Sequence, residues 1–335
     1  MSSSSFVSCI IVEQAANKTQ ISETRRSERF LIDAPRRCMG VLLLRFQTLG
    51  RNCHWQSDGR LQRSGMAATV IGFINQKGGC GKSSCCFHLG GQLARDGLRV
   101  LLIDADPQGS LSQGFFGSAF VEALPVELTL AACFGNDADV LMPATLIQST
   151  GFDRLDIVCA NQLLSSINVP SPEVTGMQQF ALMQFLADAP TYDIVLIDCP
   201  PNLYQCSWNA LLSADWIVVP VPPEDFGTQG LRVIHQGIEQ AQRMNPSLQL
   251  LGHLVTRFDS RLLIHRRYEG KLRQLYGPNV LETVIPEASA FKVSLACRQP
   301  VGFFSPRSSA ARLTSQLGRE ILDRIAGQTQ RTNVG

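Results

Sequence analysis

Short continuous runs of apolar residues alternate along this chain with longer stretches in which apolar residues recur at helical spacing. Six of the runs are predicted to be buried strands, at residues 69–75, 98–103, 155–159, 194–197, 216–221 and 248–255. Helical spacing predicts helices over residues 82–95, 177–188, 228–244, 262–275 and 310–325. This alternation is typical of a parallel sheet that helices cover on both faces. We therefore predict an α/β fold with one doubly wound, mostly parallel sheet, which binds its ligand at the carboxyl ends of the strands.

The first 65 residues differ from the rest. They begin with a serine run and have no sustained helical or strand period. They also lack the features of a secretory signal, and their several glutamates are atypical of a mitochondrial transit peptide. We expect residues 1–65 to be a disordered or artefactual extension, with a regulatory or nucleic-acid-binding tail as the alternative. The folded domain is expected over residues 66–326, followed by a polar tail over 327–335.

Composition excludes several classes of protein. No run approaches the roughly 18 apolar residues that a membrane-spanning helix needs. The 11 cysteines are an odd number and include no CxxC pair, which argues against a disulfide framework or a zinc ribbon. Unpaired cysteines in a chain without a clear signal peptide favour a reducing cytoplasm.

Charge is distributed unevenly, although the whole chain has a net charge of only +2. Residues 66–256 have a net charge of −10, whereas residues 257–335 have +7 and residues 1–65 have +5. A basic portion beside an acidic body indicates a surface that can attract a polyanion.

A glycine-rich segment follows the first predicted strand and precedes the first predicted helix. Residues 77–84 read Lys-Gly-Gly-Cys-Gly-Lys-Ser-Ser, which is close to the P-loop form GxxxxGK[ST], with Gln76 in place of the first glycine. Backbone N–H groups of such a loop point at phosphate oxygens. Lys82 would reach the β- and γ-phosphates, and the Ser83 hydroxyl would bind Mg²⁺. The predicted nucleotide-binding residues are Gly78, Gly79, Cys80, Gly81, Lys82, Ser83 and Ser84.

Lys77 makes the motif more specific, because K-G-G-x-G-K-[ST] resembles the deviant Walker A motif of the ParA/MinD superfamily. Further segments resemble that superfamily in the same order. Residues 101–109 resemble its second motif, residues 192–201 its Walker B segment, and residues 220–231 the segment that lines the adenine pocket. The resemblance covers residues 66–326 and is greatest to the ParA/Soj branch, which partitions chromosomes and plasmids. It implies a P-loop NTPase fold, ATP and Mg²⁺ as cofactors, an ATP-dependent homodimer and slow, partner-stimulated hydrolysis.

The resemblance also implies roles for individual residues. Lys77 would reach across the dimer to the partner's phosphates, and Asp198 would hold the Mg²⁺ shell together with Ser83. Asp106 would orient the attacking water, with Asp104 in a supporting role; a strand-end cap or a salt bridge is the alternative for both. The adenine pocket would include Pro220, Pro223 and Glu224, although Glu224 is equally compatible with a solvated loop.

Basic residues cluster on the helix predicted over 262–275. They are Arg266, Arg267, Lys271 and Arg273, and they span about 160° of helical arc. Tyr268, Leu272 and Leu275 lie on the other side and are expected to face the core. ParA-like ATPases bind DNA non-specifically as ATP dimers, so the resemblance implies a DNA contact here, with a solvated helix face as the alternative. Glu287 and Ala290 depart from the family, which often has arginines in that block.

The function implied is a cytoplasmic partition ATPase that associates with the nucleoid when ATP-bound and works with a ParB-like partner. A related ATPase that positions a protein cargo is the first alternative. A MinD-like membrane-associated ATPase is disfavoured, because residues 327–335 are polar and short. An iron–sulfur carrier is disfavoured as well, because Cys199 and Cys206 lack the expected arrangement.

Overall fold

The structure is a computed structural model, and it describes residues 53–55, 61–63, 68–135, 143–223 and 228–332. In the first two of these stretches, β1 (Cys53–Trp55) and β2 (Leu61–Arg63) pair in antiparallel fashion. Apart from these two strands, residues 1–65 lie outside the described part of the chain. The expectation that they form a disordered or artefactual extension therefore stays a prediction.

Seven strands form the central sheet in the order β5-β6-β4-β7-β3-β8-β9. Their bounds are β3 (Thr69–Phe73), β4 (Val100–Asp104), β5 (Ile147–Phe152), β6 (Leu155–Val158), β7 (Ile194–Asp198), β8 (Trp216–Val221) and β9 (Gln249–Val255). All neighbouring pairs are parallel except β5 with β6. The mostly parallel sheet is thus confirmed. The pattern missed β5 because this edge strand is half-exposed and contains no continuous apolar run.

Helices cover both faces of the sheet. The helices are α1 (Lys82–Arg95), α2 (Ser110–Phe116), α3 (Ser118–Glu122), α4 (Pro143–Leu146), α5 (Ala181–Asp188), α6 (Gln205–Ser213), α7 (Thr228–Gln242), α8 (Leu263–Tyr276), α9 (Ser289–Ala296), α10 (Val301–Phe304) and α11 (Ser309–Thr332). Alternate strand residues point to opposite faces, so Leu102 belongs to the core that α1 and α11 cover, while Ile103 belongs to the core that α5, α6 and α7 cover. The two resulting cores confirm the predicted doubly wound architecture.

Helix α1 packs unusually close to its neighbours. A Cβ atom at Gly91 would collide with the Pro300 ring, and one at Gly90 would lie 2.7 Å from Leu102 Cδ2. Only glycine permits this approach, which presses α1 against β4 on one side and against the start of α10 on the other. The loop that precedes α1 is therefore attached to a firmly packed helix.

The carboxyl ends of the three central strands meet at one edge of the sheet. Asp198, the last residue of β7, is in register with Phe73 at the end of β3 and with Asp104 at the end of β4. The glycine-rich loop follows β3 directly. This register brings together a loop and two carboxylates that lie far apart in the sequence.

Candidate functional site

The glycine-rich loop occupies residues 74–81, between β3 and α1. Gly79 and Gly81 have left-handed backbone conformations, with φ of 69° and 92°. Only glycine adopts such angles at little cost, which is why the loop is built from glycines. The residues predicted to bind nucleotide, from Gly78 to Ser84, lie in this loop and in the first turn of α1. They therefore surround the positive end of a helix dipole, a favourable place for an anion.

Side chains of the loop itself and of the segment after β9 hold the loop in place. Asn75 donates from Nδ2 to the Pro220 carbonyl at 2.6 Å and accepts from the Lys77 N–H at 3.0 Å. The Thr256 hydroxyl donates to the Cys80 carbonyl at 2.7 Å, and Arg257 Nη1 donates to the Gly79 carbonyl at 3.1 Å. No role was predicted for these three residues, because Asn75 lies just before the motif, and Thr256 and Arg257 reach the loop only through the order of the strands in the sheet.

The side chain of Lys82, the first residue of α1, extends into the loop and is buried. Its Nζ atom donates to the carbonyls of Asn75 at 3.0 Å and Lys77 at 3.3 Å, and lies 3.8 Å from Cys80 Sγ. An ammonium group has three donors, and these three acceptors match them. The cation is thus positioned within the concave side of the loop, where a phosphate would lie.

Asp198 is fully buried, and among the described residues neither of its carboxylate oxygens accepts a hydrogen bond of ordinary geometry, although the Ser83 hydroxyl lies close enough to interact with it. Burial and the nearby charge of Asp104 raise the pKa of Asp198 well above its usual range, while the Ser83 hydroxyl and the Lys82 ammonium lower it in part. An unpartnered buried carboxylate is costly unless it has another counter-charge. A carboxylate beside a hydroxyl offers the oxygen ligands that Mg²⁺ prefers, so the residues present fit that ion.

Asp104, in contrast, is surrounded by donors. Its Oδ2 accepts from both the N–H and the hydroxyl of Ser112, at 2.8 and 2.7 Å, and its Oδ1 accepts from the Asp106 N–H at 3.1 Å. Burial raises the pKa of Asp104 to about 7 even though the Ser112 hydrogen bonds lower it. These contacts secure the start of α2, which favours a supporting role through structure over direct chemistry.

Asp106 lies in the loop after β4, at the edge of the site, and its exposed fraction is 9%. Its Oδ1 accepts from the Gln108 N–H at 2.9 Å. This bond is the kind of local cap that the sequence left open as the alternative to a catalytic role. It is compatible with both, because a carboxylate has several acceptor sites.

The remaining predicted nucleotide residues lie around the same edge. Lys77 is half-buried in the loop, Pro220 is a buried residue of β8, and Pro223 is buried just beyond that strand. Glu224 lies outside the described residues, so its place in an adenine pocket stays a prediction.

The four basic residues predicted to cluster on α8 differ in their exposure. Arg266, Arg267 and Lys271 are at least partly exposed. Arg273 is instead half-buried, with its guanidinium 3.0 Å from the Glu269 carboxylate and 3.7 Å from that of Glu282. Since intramolecular carboxylates engage Arg273, it is a poorer candidate for a phosphate contact than the other three.

The apolar side of α8 differs in part from the prediction. Leu272 is buried and Tyr268 is half-buried, as expected. The expectation for Leu275 was wrong, because this side chain is 53% exposed. It lies in the last turn of the helix, one residue before α8 ends.

Known proteins resemble this chain in sequence. A family model described as an AAA domain matches residues 68–250. The chromosome-partitioning ATPase Soj of Thermus thermophilus is 33% identical over 262 residues, which cover 76% of this chain and 96% of that protein. The chromosome partitioning protein ParA of Caulobacter vibrioides is 32% identical over 260 residues, covering 76% and 94%. The chain is a ParA/MinD-type P-loop ATPase. Its predicted family is therefore confirmed.

Solved structures share the fold of this ParA/MinD-type ATPase. Cobyrinic acid a,c-diamide synthase of Mycobacterium smegmatis, with bound ADP and magnesium, superposes with a TM-score of 0.63 at 26% identity, over 76% of this chain and 94% of that one. A variant of Cyanothece McdA in complex with ATP gives 0.65 at 19% identity, covering 77% and 98%. The predicted P-loop NTPase fold is confirmed, and the ligands of the first structure agree with the predicted cofactors. Within the described part of the chain, no helix has the length and apolar character needed to cross a membrane.

Proposed function

We propose that this ATPase binds ATP with Mg²⁺ in the glycine-rich loop, hydrolyses it, and uses the ATP-bound state to dimerise and to bind DNA during partition. The observation that carries the nucleotide site is Asp198, a fully buried carboxylate that accepts no hydrogen bond of ordinary geometry among the described residues, beside Ser83 and Lys82. A buried charge of this kind fits a cation site far better than a structural role.

Each residue then has a defined task. Lys82 exchanges its loop acceptors for β- and γ-phosphate oxygens. Ser83 and Asp198 would hold the Mg²⁺, whose charge would offset that of the phosphates. Asp106 orients the attacking water, while Asp104 keeps the β4–α2 turn in shape. Lys77 acts on the phosphates of the partner subunit, so that hydrolysis requires the dimer. These roles suit phosphoryl transfer, which needs mainly positioning and charge neutralisation.

Partition is supported by the names of the relatives. Soj of Thermus thermophilus and ParA of Caulobacter vibrioides are named for chromosome partitioning, and each is matched over more than nine-tenths of its length. Three cations on the outer side of α8, Arg266, Arg267 and Lys271, support contacts with DNA phosphates, which require charge but no base readout. A cytoplasmic location, association with the nucleoid and stimulation by a ParB-like partner belong to the same proposal.

A second candidate is an ATPase that positions a protein cargo. Leu263 and Ile264, at the start of α8, are 54% and 51% exposed and adjoin the basic residues. DNA phosphates offer no apolar partner for these side chains, whereas a protein surface does. A fluorescent-DNA titration separates the candidates, because the partition proposal requires ATP-dependent DNA binding.

The nucleotide site itself is tested with Lys82→Ala and Ser83→Ala. Titration with ATP and Mg²⁺ should show a strong loss of affinity in both, because one variant removes the cation from the loop and the other a metal ligand. Thermal unfolding without nucleotide checks that both variants fold. Unchanged affinity in Lys82→Ala would overturn the site, and absence of ATP hydrolysis by the wild type, with DNA and candidate partners present, would overturn the enzyme.

A further inference from the structure

The two residues after β9 contact two successive carbonyls of the glycine-rich loop. Thr256 donates to the Cys80 carbonyl across 176 residues of chain, and Arg257 donates to the Gly79 carbonyl across 178 residues. Thr256 is itself held in the sheet, since its N–H donates to the Val221 carbonyl at 3.0 Å. Arg257 has a left-handed backbone, with φ of 53°, which is uncommon for a residue other than glycine. The surrounding contacts therefore hold this turn in place.

Peptide geometry gives these outer contacts a consequence on the inner side of the loop. The Gly79 carbonyl and the Cys80 N–H belong to one planar trans peptide and point in opposite directions. The Cys80 carbonyl and the Gly81 N–H are related in the same way. When the N–H groups of such a loop face phosphate, the carbonyls face outward, where Thr256 and Arg257 reach them. A donor at the carbonyl polarises the peptide and strengthens its N–H as a donor.

Arg257 is also held from its far side. Its Nη2 lies 3.7 Å from Glu287 Oε2, and Glu287 Oε1 accepts from Lys292 Nζ at 2.6 Å. Glu287 is fixed opposite Arg257 because its N–H donates to the Phe258 carbonyl at 3.1 Å. The carboxylate that departs from the family pattern thus has a structural partner at the loop.

We propose that Thr256 and Arg257 are positioning residues that orient and polarise the Cys80 and Gly81 N–H groups for nucleotide phosphates. The Glu287 carboxylate fixes the position of the Arg257 guanidinium. This inference rests on the proposed nucleotide site and adds residues to it. The N–H groups of Cys80 and Gly81 would face phosphates that ADP and ATP share, so loss of either positioning residue should weaken the binding of both nucleotides. That distinguishes the pair from Lys77, whose proposed role requires the dimer.

The test compares Arg257→Ala with Arg261→Ala in the full-length protein. Arg261 follows in the same segment, its side chain is 87% exposed, and it pairs with Asp259 rather than with the loop. Titration with a fluorescent ADP and Mg²⁺ should show about 10-fold weaker binding for Arg257→Ala, the size expected when a charged hydrogen bond is lost, and no change for Arg261→Ala. Thr256→Val should weaken binding as well, and Thr256→Ser should restore it because the hydroxyl is retained.

A second readout separates positioning from a general loss of stability. Without nucleotide, Arg257→Ala should melt at a somewhat lower temperature than Arg261→Ala, because its contacts with Gly79 and Glu287 are lost. The readout is the rise that ADP produces above each variant's own nucleotide-free melting temperature, which should be smaller in Arg257→Ala. If Arg257→Ala fails to fold, Arg257→Met keeps the length of the side chain without its donors and serves in the same titration. If the folded Arg257 variant binds ADP with wild-type affinity, the positioning role of Arg257 is wrong, while the assignment of the loop as the nucleotide site is unaffected. Failure of the wild type to bind ADP or ATP overturns both.

Discussion

Asp104 and Asp198 are register partners at the ends of adjacent parallel strands, yet they differ in their surroundings. Asp104 accepts three hydrogen bonds, from Ser112 and Asp106, whereas among the described residues Asp198 accepts none of ordinary geometry. Both are fully buried. Equivalent places in the sheet therefore support two functions, one structural and one suited to a cation.

Substitution of these two aspartates by asparagine should have different effects. Asp198→Asn replaces a buried carboxyl, which burial disfavours in its charged form, by a neutral amide of similar size, so the nucleotide-free protein should be about as stable as wild type while Mg²⁺-dependent ATP binding falls. Asp104→Asn replaces a carboxylate oxygen that accepts two donors from Ser112, which should cost about 1–3 kcal/mol of stability. Thermal unfolding with and without ATP, in Mg²⁺ and in EDTA, measures both. Equal loss of stability in the two variants would contradict this division of roles.

Lys77→Ala should separate nucleotide binding from dimerisation. The Lys77 side chain is proposed to act on the partner's phosphates, so ADP affinity should stay near that of wild type. ATP-dependent dimerisation and hydrolysis should both fall, while Lys77→Arg, which keeps the charge, should retain part of each. Light scattering after size exclusion, combined with a phosphate-release assay, gives the result. Hydrolysis at the wild-type rate in Lys77→Ala would refute the role across the dimer.

Asp106→Ala should slow hydrolysis without abolishing ATP binding. Loss of a water-orienting carboxylate is expected to reduce the rate about 10²–10⁴-fold and to prolong the ATP-bound dimer. Asp106→Asn keeps an acceptor for the Gln108 N–H, so it controls for the local cap. Single-turnover hydrolysis and size exclusion with ATP test both variants. If ATP binding itself is lost in both, Asp106 is structural.

The basic helix is tested by the salt dependence of DNA affinity. Removing Arg266 and Arg267 together should reduce the slope of log affinity against log salt by about 1.8 per protomer, or about 3.6 when both protomers of the dimer contact DNA, since each phosphate contact contributes about 0.9. Arg273→Ala is the matched control: it should lower stability through its lost contacts with Glu269 and Glu282 and leave the slope unchanged. Titrations with ATP and with ADP complete the design. Identical slopes for wild type and the double variant would show that these arginines do not contact DNA and that this side of α8 is only a solvated face.

His253 should make the fold sensitive to acid. The ring is fully buried, with Nδ1 3.0 Å from the Asn279 carbonyl and Nε2 3.0 Å from His235 Nε2. Burial lowers the pKa of His253 to about 4. An unfolded histidine takes up its proton near pH 6.5, so stability is present above that pH and is lost as pH falls from about 6.5 to about 4, by about 2 kcal/mol at pH 5.

Urea unfolding at several pH values between 8 and 4.5 measures this loss. His253→Asn keeps a donor for the Asn279 carbonyl but does not titrate, so its stability should change less steeply with pH. Part of the slope should remain, because burial also lowers the pKa of His88 to about 3. A variant whose stability follows pH as steeply as wild type would show that His253 is not responsible.

The buried strands and the glycine-rich loop could be predicted from the sequence alone. The buried parallel strands appear as continuous apolar runs, such as residues 216–221, and the same bounds occur in β8. Residues 77–84 identified the loop because its function depends on glycines, a lysine and a serine at fixed short spacing. Each of these signals lies within one element or one turn, where periodicity and dihedral preference act directly.

Contacts between distant segments were decided by the tertiary structure alone. Sheet order places Thr256 and Arg257 against a loop 176 and 178 residues earlier. Packing against Glu269 and Glu282 distinguishes Arg273 from Arg266, although both appear as equivalent cations in the sequence. Such differences follow from which elements meet in space, and periodicity along a single helix or strand contains no information about its neighbours.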